Sequence, residues 1–174
     1  MAVGCYPGSF DPPTIAHLAV AAAGRRQAGL DRVDLVLSHD ALGKPAGLGP
    51  PVAARRVVLE AVAASRPWLG VVVTGARLIA DIAAGYDAVL LGADKWAQVL
   101  DPAWYAGSVP ARDAALAALP RVLVAPRAGD RPAGVELLEL PEHLDGVSAT
   151  GVRSGHDGAG AWILPEARDS GLWG

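Results

Sequence analysis

Two short stretches of the chain hold residue types that could recognise and act on an anion. The first runs Gly8-Ser9-Phe10-Asp11-Pro12-Pro13-Thr14-Ile15-Ala16-His17. A glycine turn leading into a helix offers backbone N–H groups to a negative charge. Thr14 and His17, three residues apart, fall on one face of such a helix, and a histidine there can donate to a phosphate oxygen. Spacing alone equally allows Thr14 as an ordinary helix cap and His17 as a partly buried ring. The second stretch is Val147-Ser148-Ala149-Thr150-Gly151-Val152-Arg153-Ser154. Two hydroxyls ahead of an arginine suit a phosphate grip through N–H, O–H and guanidinium groups. Taken alone, that stretch is also a common cap followed by a surface arginine.

The elements that must position these stretches follow from the hydrophobic pattern. Apolar runs of strand length occupy 2–6, 33–37, 69–73, 88–91 and 122–124, while 15–27, 52–64 and 78–84 have helical composition. An alanine-rich helical bundle does not accommodate the runs VDLVL, LGVVV and AVLL. Strands alternating with helices predict an α/β fold, a Rossmann-like doubly wound, mainly parallel sheet with helices on both faces. In such a sheet ligands bind beyond the carboxyl ends of the strands, where the first stretch would lie. Residues 39–51, rich in Pro and Gly around a single Lys44, read as a loop, and 157–160 as a flexible turn. Residues 163–174 read as a last short helix with a frayed end. With 174 residues and no internal linker, one domain spanning 1–174 is expected.

Taken together and in this order, the two stretches resemble a known family. GSFDPPTIAH is similar to the (H/T)xGH signature of the nucleotidylyltransferase superfamily, and VSATGVRSG resembles its distal ISSTxxR signature. The resemblance implies transfer of a nucleotidyl group from a nucleoside triphosphate with release of pyrophosphate. It implies a nucleotide site of Gly8, Ser9, Phe10, Asp11, Thr14, His17, Gly92, Asp94, Ser148, Thr150 and Arg153. Among these, Thr14, His17 and Arg153 would carry catalysis, His17 stabilising charge on the α-phosphate, and Mg²⁺ would travel with ATP. One position departs from the family: Ala16 stands where it has glycine, a residue that permits close approach of backbone to ligand. A nucleotide-binding paralogue without turnover is therefore a competing expectation.

Two bacterial branches compete for the acceptor. Tyr6-Pro7-Gly8-Ser9-Phe10-Asp11-Pro12, Thr14 and the segment 78–83 look like phosphopantetheine adenylyltransferase, though its RGLR segment is absent. Leu91-Gly92-Ala93-Asp94, the distal VSATGVR, Trp104-Tyr105 and the 124–127 segment VAPR resemble nicotinate mononucleotide adenylyltransferase, whose YTxxTL segment is missing. The expected acceptor is nicotinate (or nicotinamide) mononucleotide, in NAD biosynthesis, with phosphopantetheine as the alternative. Lys44 matches in position a lysine of both branches that faces phosphate, and Arg56 resembles the arginine found after that loop; the resemblance implies an acceptor site of Lys44, Arg56 and Trp104, with Trp104 stacking on a pyridine ring.

Composition narrows the remaining classes. A net charge of −3 with 19% charged residues is a poor basis for coating nucleic acid. The single Cys5 excludes an internal disulfide framework and any multi-cysteine zinc site, and His39, His143 and His156 show no metal spacing. No apolar stretch is long enough for a membrane span, and no charged leader precedes an apolar run, so a cytoplasmic location is expected. Gly146-Val147-Ser148-Ala149-Thr150 falls one glycine short of a hydrolase nucleophile elbow and lacks a clear strand before it.

Overall fold

The computed structural model describes residues 1–39 and 49–173. Short β-branched and leucine-rich runs form six parallel strands: β1 (Val3–Pro7), β2 (Arg32–Ser38), β3 (Leu69–Thr74), β4 (Ala88–Gly92), β5 (Arg121–Ala125) and β6 (Glu136–Leu137). Their order is β3-β2-β1-β4-β5-β6, the doubly wound arrangement expected from the sequence. The helices are α1 (Ile15–Ala28), α2 (Val52–Ala64), α3 (Ile79–Ile82), α4 (Ala93–Leu100), α5 (Val109–Ala117), α6 (Ala149–Arg153) and α7 (Pro165–Asp169).

Side chains alternate along each strand, so the sheet feeds two cores. Along β4, Ala88 and Leu90 join Val20, Ala21 and Ala23 of α1 and Leu59 and Val62 of α2. Val89 and Leu91 face the other way, onto Ile82 of α3 and Val99 of α4. Alanines let α1 lie close to the sheet, and at Gly24 even a methyl would run into the Leu90 δ-carbons. After β1 the chain winds outward through β2 and β3, then returns to place β4 on the other side of β1. This reversal opens a crevice between the carboxyl ends of β1 and β4, where both α1 and α4 begin.

Four local features differ from the expectation. The 78–84 helix is only Ile79–Ile82, while α4 and the two-residue β6 were not anticipated. The expected last helix is α7, and the described part of the tail is tied down: Ile163 forms an antiparallel bridge with Thr14, Leu164 N–H donates to the Pro13 carbonyl at 3.2 Å, and Trp173 packs with Val58, Ile163 and Ala167. Segment 163–173 thus straps the loop ahead of α1. No helix among the described residues is long and apolar enough to cross a membrane.

Candidate active site

The loop from β1 to α1 is set by contacts on every side. The Gly8 N–H donates to the Val36 carbonyl at 3.1 Å. The Phe10 ring lies against Gly8, where an added Cβ would come within 2.9 Å of it. Phe10 is buried with φ at 46°, a conformation costly for a bulky residue and held here by its packing. Arg55 of α2 donates to the Ser9 carbonyl at 2.6 Å and to that of Pro50 at 2.9 Å. Burial lowers the Arg55 pKa, and nearby Asp11 opposes that shift. Trp173 Nε1 donates to Asp11 Oδ1 at 2.7 Å.

At the start of α1, Thr14 is the N-cap and His17 the third helical residue. The Thr14 backbone N–H donates to His17 Nδ1 at 2.9 Å. A backbone amide can only donate, so Nδ1 is the acceptor nitrogen and the proton of the neutral ring sits on Nε2. The Thr14 hydroxyl lies 3.0 Å from the same Nδ1. Thr14 is fully buried, so its hydroxyl serves to orient the ring. Phe10 packs edge-on to His17 at 5.0 Å between centroids, with Tyr6 tilted against it at 6.1 Å.

The distal stretch meets this loop directly. Ser148 caps α6 by accepting from the Gly151 N–H at 2.9 Å. Arg153 donates through Nη1 to the Asp11 carbonyl, 142 residues away, and through Nη2 to the Thr150 hydroxyl at 3.2 Å. Its guanidinium is also 3.8 Å from the Asp11 carboxylate. The segment before Ser148 is a short 3-10 turn, Glu142–Leu144, so the strand required by a hydrolase elbow is absent there.

Between these parts lies an open cleft of about 490 Å³, mouth included, lined by Tyr6, Thr14, Ala16, His17, Gly92, Arg127, Asp145 and Ser148 among others. Gly92 lets the Asp94 carboxylate fold back, since a Cβ there would stand 2.8 Å from Oδ1. Asp94 faces Arg127 at 3.8 Å. Tyr6 is only 8% exposed; burial pushes its phenol pKa up, Arg127 works against this and Asp94 adds to it. Tyr6 therefore remains a protonated hydroxyl in the cleft wall.

A second cavity, about 290 Å³ with its mouth, holds Trp104 and Tyr105 together with Arg77, Leu78, Ile79, Lys95, Gln98 and Val99. Thus Thr14, His17, Gly92 and Ser148 share one cleft, Asp94 reaches a residue of its wall, Asp11 and Arg153 join the two stretches, and Trp104 lines a separate cavity. Gly8, Ser9 and Phe10 shape the loop. Arg56 pairs with Glu60 at 2.7 Å on an exposed helix face, while its neighbour Arg55 reaches the loop. Lys44 lies outside the described residues. Sequence reasoning passed over Tyr6, Arg55, Lys95 and Trp173 as site residues. Arg55 had a signal in its adjacency to Arg56, and Tyr6 in ending the first strand; Lys95 and Trp173 had none.

The sequence model of the cytidylyltransferase-like family matches residues 5–153. No curated protein matches the chain significantly. Among solved structures, Plasmodium falciparum nicotinic acid mononucleotide adenylyltransferase complexed with NaAD aligns with a TM-score of 0.66 at 13% identity, over 97% of this chain and 93% of that one. The same enzyme complexed with APC gives a TM-score of 0.66 at 12% identity, over 99% and 96%. At such identities the likeness is one of fold.

Proposed function

The chain belongs to the cytidylyltransferase-like family and is a nucleotidyltransferase, and from that premise we propose that it transfers AMP from ATP to the phosphate of nicotinate or nicotinamide mononucleotide, releasing pyrophosphate. The observation that carries this reading is the fixed imidazole: His17 Nδ1 accepts from the Thr14 amide, so Nε2 is the donor. In the reaction an oxygen of the acceptor phosphate bonds to the α-phosphorus of ATP as the bond from that phosphorus to the β-bridging oxygen breaks. No covalent intermediate is needed; the protein supplies position and charge stabilisation. His17 donates to the α-phosphate oxygen, on which negative charge grows, with Thr14 holding the ring in place. Ser148, Thr150 and Arg153 hold the β- and γ-phosphates through hydroxyl and guanidinium donors. Mg²⁺ enters as part of the substrate, MgATP. Gly92 and Asp94 border the nucleoside, and the Trp104 cavity takes the pyridine ring.

The test is pyrophosphate release from ATP with nicotinate mononucleotide, nicotinamide mononucleotide or phosphopantetheine as acceptor, and with none. The reading expects release with a pyridine mononucleotide alone. Release with phosphopantetheine alone would exchange the acceptors. ATP binding without release from any acceptor would make the protein a non-catalytic nucleotide-binding paralogue.

A further inference from the structure

The chain has three tyrosines. Tyr86 donates its hydroxyl proton to Asp34 Oδ2 at 3.1 Å, and Tyr105 donates to the Val99 carbonyl at 3.0 Å. Tyr6 is the most buried of the three. Yet among the described residues its hydroxyl has no hydrogen-bond partner. A buried tyrosine hydroxyl ordinarily finds one, so a lone hydroxyl in a cleft wall calls for an explanation.

The body of the ring is held on two sides. Phe10 meets it edge-on at 5.4 Å between centroids, and His17 lies tilted against it at 6.1 Å. The hydroxyl oxygen is not sealed in. Among the described residues, the unpaired side-chain atoms shut off from solvent are Trp96 Nε1 and Glu166 Oε2. Tyr6 lines the same cleft as His17, so a molecule bound there can reach the oxygen. Pro126, Leu140, Leu144 and Val147 give that cleft an apolar wall fit for a flat base. The charged group nearest Tyr6 is then the one that His17 serves.

We infer that Tyr6 is a further catalytic residue, whose hydroxyl donates to an α-phosphate oxygen of the bound nucleotide beside the His17 imidazole. This rests on the reading of the cleft as the nucleotide site with His17 at the α-phosphate. Burial pushes the phenol pKa up, Arg127 works against this and Asp94 adds to it, so the hydroxyl keeps its proton throughout. No proton changes hands. A hydrogen bond to an anion is stronger than one between neutral groups, and it strengthens as negative charge grows on the α-phosphate. The hydroxyl breaks no protein bond in order to make it, and a ring already held by Phe10 and His17 needs little reorganisation.

The experiment is Tyr6→Phe, which keeps the ring and removes the hydroxyl alone. Thermal unfolding should occur at the parent temperature or above, because the lost group bonds nothing in the protein. In steady-state pyrophosphate release kcat should fall roughly tenfold to a hundredfold, with only a few-fold change in the KM for ATP. Calorimetric titration should show AMP bound about three- to tenfold more weakly than by the parent, and adenosine bound equally. Unchanged AMP affinity would overturn the proposal, as would failure of the parent to bind AMP. Equal losses for AMP and adenosine would move the hydroxyl to the nucleoside and overturn it too. A variant that unfolds markedly earlier would give the hydroxyl a structural role instead. The transfer reaction fails separately: if the parent releases no pyrophosphate with any acceptor, the comparison of AMP with adenosine still decides for or against Tyr6.

Discussion

His17 is held at Nδ1 by a main-chain amide that no side-chain substitution removes, so its contribution is isolated by changing the ring alone. His17→Ala should lower turnover roughly 10²–10³-fold, as for loss of one oxyanion donor, with little rise in KM for ATP because its contact strengthens as the reaction proceeds. Steady-state kinetics beside circular dichroism decide this, and unimpaired turnover in a folded variant would remove His17 from the chemistry. Arg153→Ala should weaken ATP binding and Arg153→Lys recover only part, since an ammonium cannot bridge two phosphate oxygens as a guanidinium does; equilibrium titration separates the three proteins. At Ala16, whose methyl lines the cleft, glycine should lower the KM for ATP while costing about 0.5–1 kcal/mol of stability in the helix. Motif spacing identified which residue types gather here, yet it did not separate Arg55 from Arg56. Adjacent helical residues point about 100° apart, and only packing against the sheet decides which faces the loop. In the same way, the capping geometry that buries Thr14 against His17 depends on a bridge to Ile163 that local sequence cannot reveal.

The strap formed by residues 163–173 is the element whose role the sequence concealed most fully. Trp173→Phe keeps a ring against Val58 and Ala167 but loses the donor to Asp11. One neutral-to-charged hydrogen bond is worth about 1.5–3 kcal/mol. The released Asp11 loop should therefore raise the KM for ATP by about tenfold or more, with turnover at saturation changed far less. Unaltered kinetics in a stable variant would mean that the strap only packs. Strands β1 to β5 and helix α2 were legible because their apolar runs have lengths and neighbours that only a parallel sheet satisfies. Helix α4 was not, because it begins directly from β4 with no turn to mark the change. Two-residue β6 is too short for any periodicity to register.

At the scale of the whole molecule, Cys5 reports on integrity. It is wholly buried in β1, and burial pushes its thiol up to about 12 from 9.0. The unfolded chain releases this proton at lower pH than the native one, so the stability it contributes is present below pH 9.0 and is lost as pH rises toward about 12. A thiol reagent at neutral pH should label Cys5 only as fast as the protein opens, and labelling measured against urea should track global unfolding. Rapid labelling of native protein would contradict the buried β1. The contact of Arg153 with the Asp11 carbonyl bears on the order in which the molecule comes into being. A ribosome delivers the loop before α1 142 residues ahead of the arginine that clamps it, so the cleft stays half-walled until α6 has been made. A nascent chain can assemble β1 to β4 around their cores before the cleft is closed; on the proposed function, nucleotide capture would begin only when the two distant segments close on each other.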